Sequence, residues 1–450
     1  MIRFLLFTLL AAARPTGFDA DRIVASFGIV SDVHIEKAEG EVADKFTAAL
    51  RQLDERASEQ DRDGLDALLV AGDLMNTPFK SEENYVQAEW FKSLYEKVFD
   101  PRDVPVIYTP GNHDVYKWWT PQTIEQAQHI SDRLGPDYFR TDRDMDAKRN
   151  LECRHCVVKG VHILTIVPVG ASPVVYTAGQ KQWLDATLAS VTKSDPKSYV
   201  LLLTHPMITG TVYGSMLGDY WATEDLTPIL SKYPQVITFG GHLHFPLNDP
   251  RSIWQGDFTA LGCGSVRYMA IEDGGYERMQ SKTVMKDNRE FSQGLLLQVD
   301  AAGYVRITRM DFHHKTTIGE PWMLDKPSKT RSHLKRYTVA AREKANSAPH
   351  LRDLSWELSD NGWSATFSSG TDDEFVHHYV LTVTNGGRTV LTKKILADFY
   401  RSPRPAGMKD TWTELLGFLP DGLNVLTLTA VDSWGAESSP LSVDIPVRSR

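Results

Sequence analysis

The sequence predicts a layered α/β unit over roughly its first 320 residues, followed by a small all-β sandwich of about 100 residues. Three observations predict it. Short β-branched runs alternate with amphipathic helical stretches through the first part of the chain. A polar, basic stretch without a clear apolar face then intervenes at 326–349. Beyond it, strand-length runs are separated only by Gly, Pro, Asn and Asp, and no convincing helix remains.

Taken in order, the chain opens with MIRFLLFTLLAAARP. Arg3 precedes an apolar run from Phe4 to Ala13 that ends in Ala11-Ala12-Ala13. These are the three parts of a secretory signal, so residues 1–13 are expected to direct secretion or periplasmic export, with cleavage after Ala13. The run is too short to span a bilayer, and no later one reaches the roughly 20 apolar residues required, so no transmembrane segment is expected. ASFGIV, LDALLVAG, VPVIYTP, VHILTIVPV, SYVLLLTH and VITFGGH read as strands. DKFTAALRQLDERA, YVQAEWFKSLYEKVF and GQKQWLDATLASV read as the helices between them. FTALGCGSV, GLLLQVD and YVRITRMDF add strands after residue 250. The α/β domain is placed at 24–322, a linker at 323–349 and the sandwich at 350–450, built from LRDLSWEL, WSATFSS, HHYVLTVT, TVLTKKIL, LNVLTLTAVD and LSVDIPV.

Composition narrows the function. The 450 residues are 42% hydrophobic and 24% charged, enough for two or three domains. A net charge of −9 and a pI of 5.9 argue against a protein that neutralises nucleic-acid phosphates, and no nucleic-acid partner is expected. Cys153, Cys156 and Cys263 are too few for a disulfide framework. Cys153-Arg-His-Cys156 has no second pair to complete a zinc site; it reads as an ordinary structural pair, with a small disulfide loop as the alternative.

Five polar blocks each follow a predicted strand. They are Asp32-Val-His34, Gly72-Asp73, Gly111-Asn112-His113-Asp114, Thr204-His205 and Gly241-His242-Leu243-His244. In α/β folds the C-terminal ends of strands are where loops converge to build sites. One D-x-H is weak and one buried histidine is usually structural; five blocks in order, all ending strands, are not. Asp32, His34, Asp73, Asn112, His205, His242 and His244 give four imidazoles, two carboxylates and an amide with no thiolate, a set suited to Zn, Mn or Fe. Seven ligands exceed one tetrahedral site, whereas two divalent metal ions sharing a carboxylate would use them all. His242 and His244, two apart on an extended segment, face the same side, so each can serve one ion.

The blocks and their order resemble the calcineurin-like metallophosphoesterase superfamily, whose pattern runs D-x-H, G-D, G-N-H-[DE], H and G-H-x-H. The resemblance spans residues 26–250, and Gln182-Trp183-Leu184 also matches a helix habitual in that family. It implies a two-layer β-sandwich flanked by helices. It implies one metal on Asp32, His34 and His244, a second on Asn112, His205 and His242, and Asp73 bridging them. His113 is then the acid catalyst facing the substrate, with Asp114 orienting its ring. The implied activity is hydrolysis of a small phosphate ester, as a phosphatase or phosphodiesterase, by a metal-bridging hydroxide without a phosphoenzyme. The end of the chain, LPDGLNVLTLTAVDSWGAES, resembles the final strands of fibronectin type III domains. Purple acid phosphatases also pair such a domain with this catalytic fold, but they carry a tyrosine ligand where this chain has Asn76, and their sandwich comes first.

Two other readings use the same residues. One is a nuclease or nucleotide pyrophosphatase on the same metals. The other is a non-catalytic cell-surface protein with a relic site, its sandwich engaging a glycan or protein partner; the intact ligand set argues against it. Tyr116, Trp118, Trp119, Tyr213, Tyr220 and Trp221 are expected either to line the cleft or to anchor loops. Arg267 is read as a surface arginine in preference to a phosphate contact.

Overall fold

Neighbouring residues of the central strands point into different cores, and that alternation builds the first domain. In β1 (Ile23–Val30), β2 (Ala67–Ala71) and β3 (Val106–Thr109), Phe27, Ile29, Leu69 and Ile107 face one way. Val30, Leu68, Val70, Val106 and Tyr108 face the other. Strands buried on both sides need apolar residues at nearly every position, which is why these runs show little polar alternation. The computed structural model describes residues 17–59, 63–76, 81–114, 128, 132–145, 152–171, 174–215, 222–272, 282–284, 288–401 and 408–448. The expected export segment 1–13 and Tyr116, Trp118, Trp119, Tyr220 and Trp221 lie outside the described residues.

β1, β2 and β3 are parallel, and Gln293–Asp300 pairs antiparallel on the other edge of β1, followed by Val305–Asp311. A second sheet centres on the parallel strands Val161–Ile166, Val200–His205, Val236–Gly240 and Thr259–Gly262. The two sheets press together through Phe27, Ile29, Leu69 and Ile107 against Ile163, Leu201, Leu203, Ile237 and Phe239. Helix α1 (Glu41–Ser58) covers the outer face of the first sheet with Phe46, Ala49, Leu50, Leu53 and Ala57, a three-and-four spacing. α2 (Ser81–Tyr95) joins it through Phe91 and Tyr95. Ala178–Ser194 covers the second sheet with Leu184, Leu188 and Val191, its start fixed by Thr177 and Gln180 in a capping box. The architecture is the expected two-layer β-sandwich flanked by helices.

Cys153 and Cys156 lie three apart on the strand Cys153–Val158, so their side chains point to opposite faces. Cys156 enters the core between the sheets while Cys153 packs beside the outer one, and no disulfide joins them.

The segment after residue 322 is docked on the α/β domain. His333 donates to the carbonyl of Pro234 at 2.9 Å and accepts from the amide of Ser328 at 3.1 Å. A short helix, Val339–Ala345, capped by Thr338, follows. Residues 355–447 then form two antiparallel sheets of three and four strands. Trp363, Phe367 and Trp412 face Tyr379, Leu381, Leu426 and Leu428 across the core between them. Phe399 and Tyr400 of this part pack with Met269, Ile271 and Phe291 of the first domain, and Arg401 lies 3.6 Å from Glu290. Among the described residues no helix is long and apolar enough to cross a membrane.

Candidate metal centre

All five blocks emerge at one edge of the paired sheets. Asp32 and His34 follow β1, Asp73 follows β2 and Asn112–Asp114 follow β3; His205 ends Val200–His205, and His242 and His244 follow Val236–Gly240. The loops are stitched together by backbone hydrogen bonds: Asp32 N to Gly72 O at 3.1 Å, His34 N to Asp73 O at 2.9 Å and Gly241 N to His205 O at 2.8 Å.

The backbone here is strained. Asp32, His34, Asp73, His205, His242 and His244 all hold φ between 46° and 66°, and only three other non-glycine residues among those described do so. Asp, Asn and His tolerate this left-handed region better than most residues, yet each such position still costs on the order of 1 kcal/mol. Close approach dictates several of the glycines here. A Cβ on Gly111 would lie 2.2 Å from Asp73 Oδ1, and one on Gly241 would lie 1.9 Å from Ser31 Oγ.

The side chains gather into two groups. The ligand atoms of Asp32, His34 and His244 lie within 4.8 Å of one another, and so do those of Asp73, His205 and His242. Asn112 Oδ1 completes the second group, 3.2 Å from His205 Nε2 and 3.0 Å from His242 Nδ1. The structure therefore brings all seven predicted ligands together, with Asp73 reaching both ways: 3.6 Å to His205 Nε2 and 3.9 Å to His34 Nε2.

Tautomers make this set suited to cations. His244 Nδ1 donates to the Tyr268 carbonyl at 3.0 Å and His205 Nδ1 to the Ala71 carbonyl at 2.8 Å. In the neutral rings each Nε2 is then a bare lone pair. His244 Nε2 faces Asp32 Oδ1 at 3.0 Å and His34 Nε2 at 3.3 Å, and His34 Nδ1 is buried without a hydrogen-bond partner. Lone pairs directed at one another repel unless positive charge sits among them. Two divalent ions fit these donors.

The charges respond accordingly. Burial alone would push the Asp32 carboxyl up, but with no cation present the rings of His244 and His34, when protonated on Nε2, donate to it and hold it well below the usual carboxylate range. Burial pushes His34 down to about 4 despite Asp32 beside it. Asp114 is raised to about 6 by burial, against the pull of amides that donate to it: Gly111 N and Met75 N, both at 2.7 Å. It thereby ties the turn carrying Asn112 and His113 to the Asp73 loop. His113 N donates to Asp73 Oδ1 at 2.7 Å, and its ring meets His34 edge-on at 4.6 Å. Its ring also comes within ligand range of His34 and Asp73. Unlike the seven buried candidate ligands, His113 is half-buried and lines an open cleft of about 600 Å³.

Sequence reasoning missed the other wall of that cleft. Tyr268 lies over His244 with ring centroids 4.1 Å apart. Arg267, read from sequence as a surface residue, lines the cleft; its Nη2 donates to Glu36 Oε1 at 3.1 Å, and the Asn76 amide donates to Glu36 Oε2 at 2.8 Å. The one available signal was the strand run FTALGCGSV just before it. Thr259–Gly262 is a parallel strand of the second sheet, so the segment after it returns to the same edge. Tyr213 is buried against Phe245 at 4.8 Å and acts as an anchor away from the cleft.

Residues 25–246 match the family model described as calcineurin-like phosphoesterase. Among solved structures, the purple acid phosphatase PPD1 from yellow lupin (Lupinus luteus) seeds is similar at 13% identity and a TM-score of 0.47, over 68% of this chain and 54% of that one. GAP50, the anchor in the inner membrane complex of Plasmodium, is similar at 14% identity and 0.41, over 68% and 90%. A 5'-nucleotidase precursor from Thermus thermophilus is similar at 13% and 0.34, over 64% and 54%. This chain spans about half the length of the lupin and Thermus proteins. No curated protein matches it.

Proposed function

We propose, from the match of residues 25–246 to the calcineurin-like phosphoesterase family model, that the protein hydrolyses phosphate esters with two divalent metal ions. One observation carries the reading. Seven buried ligands converge from five strand ends, with unprotonated nitrogens turned on carboxylate and amide oxygens. Asp32, His34 and His244 would hold one ion, Asn112, His205 and His242 the other, and Asp73 both. Such a pair, when bound, makes water acidic enough to attack and offsets the charge of a phosphoryl group.

The chain's own residues do the rest. The Ala71 and Tyr268 carbonyls keep the Nε2 atoms of His205 and His244 free of protons. Asp114, through the amides of Gly111 and Met75, holds the turn that presents His113 to the cleft. His113 donates a ring proton to the departing oxygen. The sandwich after residue 350 is read as fibronectin type III-like, a reading its three- and four-stranded sheets support. Residues 1–13 are read as an export signal, so the mature protein should begin at Arg14, which N-terminal sequencing checks.

The test of the central reading is metal analysis of the purified protein with assays on a panel of phosphate mono- and diesters. About two ions per chain, and turnover abolished by chelation and restored by Zn, Mn or Fe, are expected. A metal-replete protein that cleaves no ester overturns it.

A further inference from the structure

We propose that Arg267 is the residue that grips the substrate's phosphoryl group and that it biases the site toward phosphate monoesters over diesters. The proposal rests on the hydrolase reading for its substrate class, but its geometry is independent. Arg267 lies on the cleft wall with His34, His113 and Tyr268. Its amide donates to the Asp32 carbonyl at 3.2 Å, tying its backbone to a ligand. Its own carbonyl accepts from Lys45 Nζ at 2.8 Å, a partly buried amine that also bonds the Phe291 carbonyl at 3.1 Å. The base of the side chain is thus fixed from two sides while the guanidinium reaches into the cleft, one quarter exposed.

Its acidic partner among the described residues leaves it able to act. Nη2 donates to Glu36, itself 42% exposed, and among the described residues Nε and Nη1 donate to nothing. Glu36 is held in turn by Asn76. An exposed pair of this kind contributes little stability, so a dianion entering the cleft can take over the guanidinium at small cost. The other arginine of the cleft, Arg289, is 79% exposed and sits 3.5 Å from Glu41, so it is less constrained. A monoester brings three terminal oxygens and a charge near −2; a diester brings two and −1. A planar fork of donors favours the first.

The experiment uses full-length metal-loaded protein and three probes: inorganic phosphate, 4-nitrophenyl phosphate and bis(4-nitrophenyl) phosphate. In Arg267→Gln, calorimetry should show phosphate affinity reduced about tenfold to a hundredfold, with KM for the monoester raised by the same factor. Diester KM should rise by a clearly smaller factor than monoester KM, and metal content should match the parent, since Arg267 is not among the metal-ligand groups. Glu36→Gln should bind phosphate as well as the parent or better, because it frees the guanidinium. Unchanged phosphate affinity in Arg267→Gln, equal losses on both esters, or a Glu36→Gln variant as weak as Arg267→Gln would each overturn the assignment, the last by showing that only the ion pair matters. Phosphate binding is read apart from turnover. A parent protein that binds phosphate through Arg267 yet cleaves neither ester overturns the hydrolase reading and leaves this one standing; an active parent with an indifferent Arg267→Gln does the reverse.

Discussion

At the residue scale, the roles proposed for Asp73 and His113 can be separated by experiment. Asp73 reaches toward both ligand groups while His34 belongs to one, so Asp73→Asn should reduce turnover more than His34→Asn. The loss should exceed the roughly 10- to 100-fold that removal of an outer partner of a metal ligand typically costs, with metal content below two per chain. Full occupancy and normal turnover would remove Asp73 from the bridging position. His113→Ala should cost about 10²–10⁴-fold on an alkyl phosphate, whose alkoxide leaves poorly without a proton. It should cost far less on a nitrophenyl ester, with metal retained; equal losses would sink the acid assignment. The seven ligands were legible because each is a polar residue in a short motif at a strand end. Arg267, Tyr268, Glu36 and Lys45 were not, because no short motif marks them. Only the direction of the strand before Arg267, which a sequence run does not disclose, brings its loop to the ligand edge.

At the scale of elements, the ligand loops leave no room for an added methyl group. Gly241→Ala would bring a Cβ within 2.7 Å of Asp32 Oδ2 as well as against Ser31 Oγ, so the loop must shift. Backbone strain and overpacking of this kind cost roughly 1–3 kcal/mol, and the shift should also displace His242. A lower melting temperature together with fewer bound ions is expected; a variant with parental stability and two ions would show that the loop yields freely. Strands and long helices were readable from period-two and three-and-four patterns, as Leu201, Leu202 and Leu203 illustrate by alternating between cores. The docking of residues 323–349 was not, since it depends on His333 and Tyr337 meeting Pro234 and Gln255, partners far away in sequence.

Across the whole molecule, the sandwich backs the cleft wall. Phe399, stacked on Phe375 at 4.6 Å and on His377 at 5.1 Å, packs into the cluster with Met269, the residue after Tyr268. Phe399→Ala should destabilise by about 3–5 kcal/mol. It should also change KM for a phosphate ester without removing metal; a stability loss with unaltered KM would confine the sandwich to a supporting role. The same junction responds to acid. Burial holds His378 at about 4 and His377 well below its usual value, with Arg251 and Lys394 adding to the cost of protonation. An unfolded histidine takes its proton near pH 6.5, so between about 4 and 6.5 the unfolded chain binds more protons and stability falls as pH falls. Melting temperature should decline across that window, and His377→Phe should decline less steeply; parallel curves would assign the acid sensitivity elsewhere, His155 being the next candidate.

The six left-handed residues of the candidate centre carry a conformational cost of their own. At each of them glycine would adopt the same φ without the steric penalty that a Cβ brings. This chain holds a carboxylate or imidazole at all six, in the conformation that penalises it, so glycine at any one of them should relax the backbone while removing a donor from the centre.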